Sequence, residues 1–175
     1  AQLQAFFRSE VTFRPFPGLV WMNTSGDLDQ YLFTLPGGRR TIIYRQAKKL
    51  TEKQLVLPPL LVKCDISNQI IKKIDLWGMA GRTFSKDTVL YSLPLPNLSS
   101  SSLCLGNTIK AAGDDIRAAV ERTIFDTPFN HHADHCGKEG LPFHAYVKKY
   151  KGACPLRTLN RLSPATAKAL HGGRP

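Results

Sequence analysis

The sequence predicts an α+β fold, in which an antiparallel β-meander sheet leads to a cysteine loop and is packed by C-terminal helices. Three observations carry this expectation. Short runs of strand composition, divided by proline and glycine turns, fill the first half of the chain; a proline-stiffened, serine-rich stretch then delivers a cysteine; and helical spacing of apolar residues begins only after it. Strands first and helices afterwards is the segregated order of α+β proteins, whereas α/β proteins alternate the two.

At 175 residues the chain suits one domain, 1–175, divided into a strand-rich part 8–92, a cysteine loop 93–107 and a helix and C-terminal region 108–175. Hydrophobic residues, at 42%, suffice for a core, and 24 basic against 13 acidic side chains leave a net charge of +11. That excess favours an acidic partner and says nothing about fold. Its basic residues are dispersed over Arg39, Arg40, Lys48, Lys49, Lys72, Lys73, Lys148, Lys149 and Lys151. No helix-turn-helix or arginine-rich recognition helix gathers them, which argues against nucleic acid as the partner. Cys64, Cys104, Cys136 and Cys154 form no Cys-x-x-Cys pair and lack the density of a stapled secreted domain. That cysteine usage reads as a reduced cytoplasmic protein, and no run reaches the roughly 18–20 apolar residues of a membrane span, so no membrane partner is expected.

Taken in order, Val11-Thr12-Phe13 and Leu19-Val20-Trp21-Met22 have strand composition and are divided by Pro15-Phe16-Pro17-Gly18, and Asn23 to Asp27 reads as a turn. Asp29 to Leu35 alternates, with Tyr31, Phe33 and Leu35 on one face, and Pro36-Gly37-Gly38 predicts a hairpin with Thr41 to Arg45. Lys48 to Lys53 reads as charged and solvated. The apolar run Leu55 to Lys63 is interrupted by Pro58-Pro59, which predicts an edge strand or two short pieces, because proline removes ladder donors. Ile70 to Trp77 is a strand pattern with Lys72 and Lys73 outward, closing at Gly78 to Gly81 before a last strand, Thr88 to Tyr91. Beyond the cysteine loop, Ile109, Ala112, Ile116, Ala119, Val120 and Ile124 recur at helical spacing and predict a helix over about 111–125, with Asp114 and Asp115 suited to its N-terminus. Residues 127–143 read as irregular, Tyr146 to Lys151 as a basic run, and Ser163-Pro164 as the cap and first residue of a short helix to Leu170.

The cysteine loop runs Leu93-Pro94-Leu95-Pro96-Asn97, then four serines, then Leu103-Cys104-Leu105-Gly106-Asn107. Its prolines keep the backbone extended up to a turn at Asn97, and the serines are too polar for a core. Cys104 therefore emerges between two leucines at the end of a loop, half presented. Read alone, a cysteine here is a small buried hydrophobe as readily as a nucleophile. The order Pro-Asn, short polar loop, Cys-Leu resembles the signature of ubiquitin-conjugating enzymes, in which His-Pro-Asn precedes the thioester-forming cysteine. Here the triplet is Leu95-Pro96-Asn97, with Cys104 seven positions after the Asn. Among bacterial members of that superfamily the chain is similar to the PRTRC system protein B family, in its proline-rich strand exit, its Cys-x-Gly-Asn motif and the Phe-x-x-x-Phe-x-His segment Phe125 to His131. These motifs span roughly Leu90 to His131, and the strand meander before them matches only by pattern.

What the resemblance implies is a ubiquitin-like protein conjugating enzyme. Cys104 would accept a ubiquitin-like protein as a thioester from a ThiF-like activating enzyme and pass it to an amine on an acceptor protein, without a cofactor. A cysteine thiolate is the strong nucleophile such a carrier needs. Asn97 would hold the loop or donate its amide to developing negative charge, although Asn also serves as an ordinary turn residue. His131 would act as a base or stabilise the thiolate, although a surface-loop histidine fits equally. His131, His132, His135 and Cys136 have metal-ligand chemistry, yet they crowd into six positions where structural zinc sites separate two pairs, so no metal is expected. Two further readings use the same residues: an inactive adaptor that binds a ubiquitin-like partner, and a basic plasmid-associated protein that binds nucleic acid.

Overall fold

A computed structural model of the protein describes residues 15–46, 49–106, 111–113, 115–128 and 135–172. The expected strand at Val11 to Phe13 and the candidate His131 lie outside these residues. Within them the main sheet has the order β1-β2-β5-β6-β9-β8, with β7 also paired to β6, and β3 pairs with β4 in a separate two-stranded sheet.

The sheet begins as an antiparallel hairpin of β1 (Leu19–Ser25) and β2 (Leu28–Leu35), joined by a turn at Gly26-Asp27. The strand thus runs three residues into the segment expected as a turn. β2 next pairs not with the following strand but with β5 (Leu60–Ser67), in register from Leu28↔Ser67 to Leu35↔Leu60. This corrects the hairpin expected across Pro36-Gly37-Gly38. β1 and β5 occupy both edges of β2, so the chain leaves the sheet and forms its own hairpin from β3 (Gly38–Gln46) and β4 (Lys49–Leu57). The charged segment Lys48 to Lys53 is accordingly strand from Lys49 onward. The two stems of this excursion meet at Gly37, where a Cβ would lie 2.7 Å from the Pro58 carbonyl carbon, so the crossing requires glycine.

Pro58-Pro59 divides the apolar run into two pieces as expected, but β5 is central and not an edge. Neither proline removes a ladder donor, because both lie in the connection, where the Pro59 carbonyl accepts the Met79 N–H at 2.8 Å. β6 (Ile70–Met79) pairs with β5 over most of its length and is two residues longer than expected. Its far end pairs with the short β7 (Leu90–Tyr91), and its middle bonds through Asp75↔Ser102 to a small hairpin, β8 (Leu98–Ser99) and β9 (Ser102–Leu103). The serine run therefore forms the inner ends of that hairpin and, at Ser100-Ser101, its turn. β1-β2-β5-β6 is a meander with one hairpin inserted.

One face of the sheet carries Tyr31, Phe33, Leu35, Leu60, Val62, Ile74 and Leu76 into the main core. The inserted hairpin covers it with Ile42, Tyr44 and Leu55, and so do α1 (Ile116–Phe125) and α2 (Phe143–Lys149). Tyr44 and Phe143 meet edge-on with centroids 5.0 Å apart. α1 starts five residues later than its apolar spacing predicted, because Asp115 takes the N-cap position and its carboxylate accepts the Ala118 N–H. α2 falls where only a basic run was expected. On the opposite face Leu32, Leu61, Trp77 and Met79 pack under α3 (Pro164–His171), which begins as expected with Ser163 as cap and Pro164 as first residue. The Trp21 indole N–H donates to the Leu170 carbonyl at 2.7 Å and ties that helix to β1. Among the described residues no helix is long and apolar enough to cross a membrane.

Candidate active site

The cysteine loop is held by its apolar residues and presents its polar ones. Leu93, Leu95, Leu98 and Leu103 are all buried in the main core, while Ser99, Ser100 and Cys104 are exposed. Burial of each leucine contributes on the order of 1.5–3 kcal/mol, enough to fix the loop without a long hydrogen-bonded strand. Leu95 stands where the ubiquitin-conjugating signature has His, and it is 2% exposed, so packing here secures the loop at that position.

Asn97 and Cys104 are brought together by backbone geometry. Asn97 has φ +63°, a left-handed conformation that Asn adopts more readily than other non-glycine residues. This turns the chain after Pro96, and the Asn97 carbonyl then accepts the Cys104 N–H at 2.9 Å. The bond closes the β8–β9 hairpin one step beyond the Leu98↔Leu103 pair. Ser100, at φ +59°, makes the opposite turn. Asn97 and Cys104 line a small cleft with Leu103, Leu105, Thr123, Thr127 and Pro128. Its volume, about 10 Å³, is room for about one water, far below the ~300–1,000 Å³ of a small-molecule site. A thiol in such a place is reached from outside and not by an enclosed small molecule.

The sequence did not single out Thr123, Thr127 or Pro128. Thr123 is buried in the last turn of α1, with its hydroxyl donating to the Ala119 carbonyl at 2.8 Å. A threonine on the otherwise apolar face of Ala119, Val120 and Ile124 was the available signal.

All four cysteines are free, and Cys104 is exposed while the other three are buried. Burial pushes the Cys64 thiol from 9.0 up to about 12, with the Asp65 carboxylate adding to the effect. Burial likewise raises Cys154 to about 12, partly offset by a hydrogen bond from the Tyr146 hydroxyl. Cys136 is 2% exposed, and its thiol donates to the Pro94 carbonyl at 3.6 Å, below the cysteine loop. Of the expected histidine–cysteine cluster, His135 is exposed and Cys136 is in the core, while His131 and His132 lie outside the described residues.

The sequence model of prokaryotic E2 family D matches residues 27–162. E2 denotes the ubiquitin-conjugating class, and the match takes in the meander from β2 onward, the inserted hairpin, the cysteine loop, α1 and α2. No curated protein and no solved structure matches the chain. With well over half of its length covered, the chain belongs to prokaryotic E2 family D, a bacterial family of ubiquitin-conjugating-enzyme-like proteins.

Proposed function

We propose that the protein is a ubiquitin-like protein conjugating enzyme with Cys104 as its carrier. The Cys104 thiolate attacks the thioester carbonyl of a ubiquitin-like protein held on a ThiF-like activating enzyme, whose own thiolate leaves. An amine of the acceptor protein then attacks the new thioester, an isopeptide bond forms, and the Cys104 thiolate departs. The observation that carries this reading is the exposure of Cys104, at the end of a hairpin pinned by Asn97, against the burial of the other three cysteines.

The roles of the neighbours are carried over from the resemblance to ubiquitin-conjugating enzymes, and the loop geometry supports that of Asn97 alone. Asn97 acts first through its carbonyl, holding the loop, and its side-chain amide supplies a donor to the oxyanion of the tetrahedral intermediate. His131 takes the proton of the incoming amine. Removing a donor that acts directly on an oxyanion costs about 2.7–4 kcal/mol of transition-state stabilisation. Family membership supports partners of the ubiquitin-like and activating-enzyme kinds.

Incubation with the cognate activating enzyme, ATP and the ubiquitin-like protein, read on a gel without reductant, tests the proposal. A reductant-sensitive adduct that Cys104→Ala abolishes is the expected result. An adduct that survives Cys104→Ala and disappears with Cys136→Ala assigns the wrong nucleophile. A tight complex without any adduct is the adaptor's behaviour and ends the enzymatic reading.

A further inference from the structure

A depression far larger than the Cys104 cleft, about 640 Å³, lies between β3 and α1. Four arginines line it, Arg39 and Arg40 on β3 and Arg117 and Arg122 on α1. Two of them are fixed. The Arg40 guanidinium sits 5.0 Å from the centre of the Phe125 ring and 3.7 Å from Glu121. Arg117 bonds Glu121 at 3.1 Å through Nε and the Pro17 carbonyl at 2.7 Å through Nη1. Glu121 is thus shared by two arginines, and Asp115 is engaged in capping the helix. Arg39 and Arg122 are exposed and have no ion pair among the described residues.

We propose that this groove docks an extended acidic segment of a protein partner. Two ordered arginines form a pre-set wall, so little side-chain entropy is lost there on binding, and the two exposed ones present planar forks suited to carboxylates. The carboxylates of Asp115, Glu121 and Asp126 interrupt the basic surface. A polypeptide with spaced acidic residues fits that alternation, whereas a phosphate backbone, charged at every unit, meets repulsion along it. Position adds a second argument. Arg122, Phe125 and Asp126 line this groove while Thr123 and Thr127 line the Cys104 cleft, so the two are lined by neighbouring residues of one stretch of chain. The docking itself is independent of the chemistry at Cys104; that the partner is one that gives or receives the acyl group rests on the proposed function.

Fluorescence anisotropy with a labelled Glu/Ser/Gly peptide, at physiological salt, tests the docking. The protein and its Cys104→Ala variant should bind it equally, a Ser/Gly peptide of the same length should not bind, and Arg39→Glu with Arg122→Glu should weaken binding about tenfold or more. Arg39→Lys with Arg122→Lys, which keeps charge and loses the forks, should fall between. Thermal melts confirm that the variants are folded, and Arg39→Gln with Arg122→Gln replaces the reversal if it is not. Equal binding of the acidic and neutral peptides, undiminished binding by the reversed variant, or displacement of the peptide by equimolar duplex DNA overturns the proposal. Failure of the wild-type protein to form any adduct with its activating enzyme, ATP and ubiquitin-like protein, with peptide binding intact, removes the proposed function and leaves the groove standing.

Discussion

Burial divides the cysteines by chemistry as well as by position. Cys64 and Cys154 have thiols pushed up to about 12, so near neutral pH they are protonated and poor nucleophiles, while Cys104 is open to reagent. Iodoacetamide should therefore modify Cys104 alone in the native protein, with the others following only in denaturant, as peptide mass mapping reads directly. The same shifts fix a sign for stability. A thiol whose folded value lies above its unfolded one favours folding fully below that unfolded value, near 9.0, and the contribution is lost as pH rises toward about 12. Urea midpoints should fall over that range, and less steeply for Cys64→Ala with Cys154→Ala; identical slopes would exclude these thiols as the titrating groups. Asn97 permits a sharper dissection, because its backbone and its amide do different things. Asn97→Gly keeps the left-handed turn and loses the amide, whereas Asn97→Ala strains the turn by about 1–2 kcal/mol. If the amide serves the oxyanion, Asn97→Gly should keep wild-type stability and slow transfer to the amine about 10²–10³-fold. Normal transfer by that variant would reduce Asn97 to a turn residue.

Among the elements, what the sequence disclosed was local, and what it hid was pairing. The alternation of Tyr31, Phe33 and Leu35 marked both a strand and its buried face, and all three are in the main core. The partner of that strand could not be read from it, since β5 lies beyond a complete hairpin and pairs such as Gln30↔Asp65 are 35 residues apart. The Ser163-Pro164 start of α3 was legible because a serine hydroxyl accepting the Ala165 N–H and a proline at the first position are both local devices. α2 was not, because it follows Pro142 with no side-chain cap and its Phe143, Tyr146 and Val147 make too short a stripe to display a period. The site divides in the same way. Asn97 and Cys104 share one continuous motif, whereas Thr123 and Thr127 join them only through the packing of α1. The inserted hairpin depends on one further contact. Gly152, at φ +74°, accepts the Val56 N–H through its carbonyl, and a Cβ there would lie 2.8 Å from the Gln54 carbonyl oxygen. Gly152→Ala should cost roughly 2 kcal/mol from the left-handed backbone and the clash together, measured by urea unfolding. Because β3 and β4 are one hairpin, the same substitution should also weaken peptide binding in the β3–α1 groove.

Across the whole molecule the charge of +11 acts at long range, and the groove acts only on contact. Lys72 and Lys73 lie on the main sheet, Arg39 and Arg40 on the inserted hairpin and Lys148 and Lys149 on α2, so among the described residues these charges are spread over several elements. A field spread in this way raises the rate of encounter with an acidic protein and does little to hold it afterwards. Salt separates the two effects. As the Debye length shortens to about 8 Å near physiological ionic strength, the association rate with a ubiquitin-like protein should fall about tenfold from its low-salt value, while dissociation, governed by short-range contacts, changes less. Stopped-flow measurement of both rates over a salt series checks this. Binding to duplex DNA would depend on salt differently, with a log–log slope near −0.9 for each phosphate neutralised. The protein should therefore lose DNA faster than it loses its protein partner as salt rises. Submicromolar duplex binding that persists at physiological salt, with no measurable association with the ubiquitin-like protein, would assign the charge to nucleic acid and remove the conjugating reading of the basic surface.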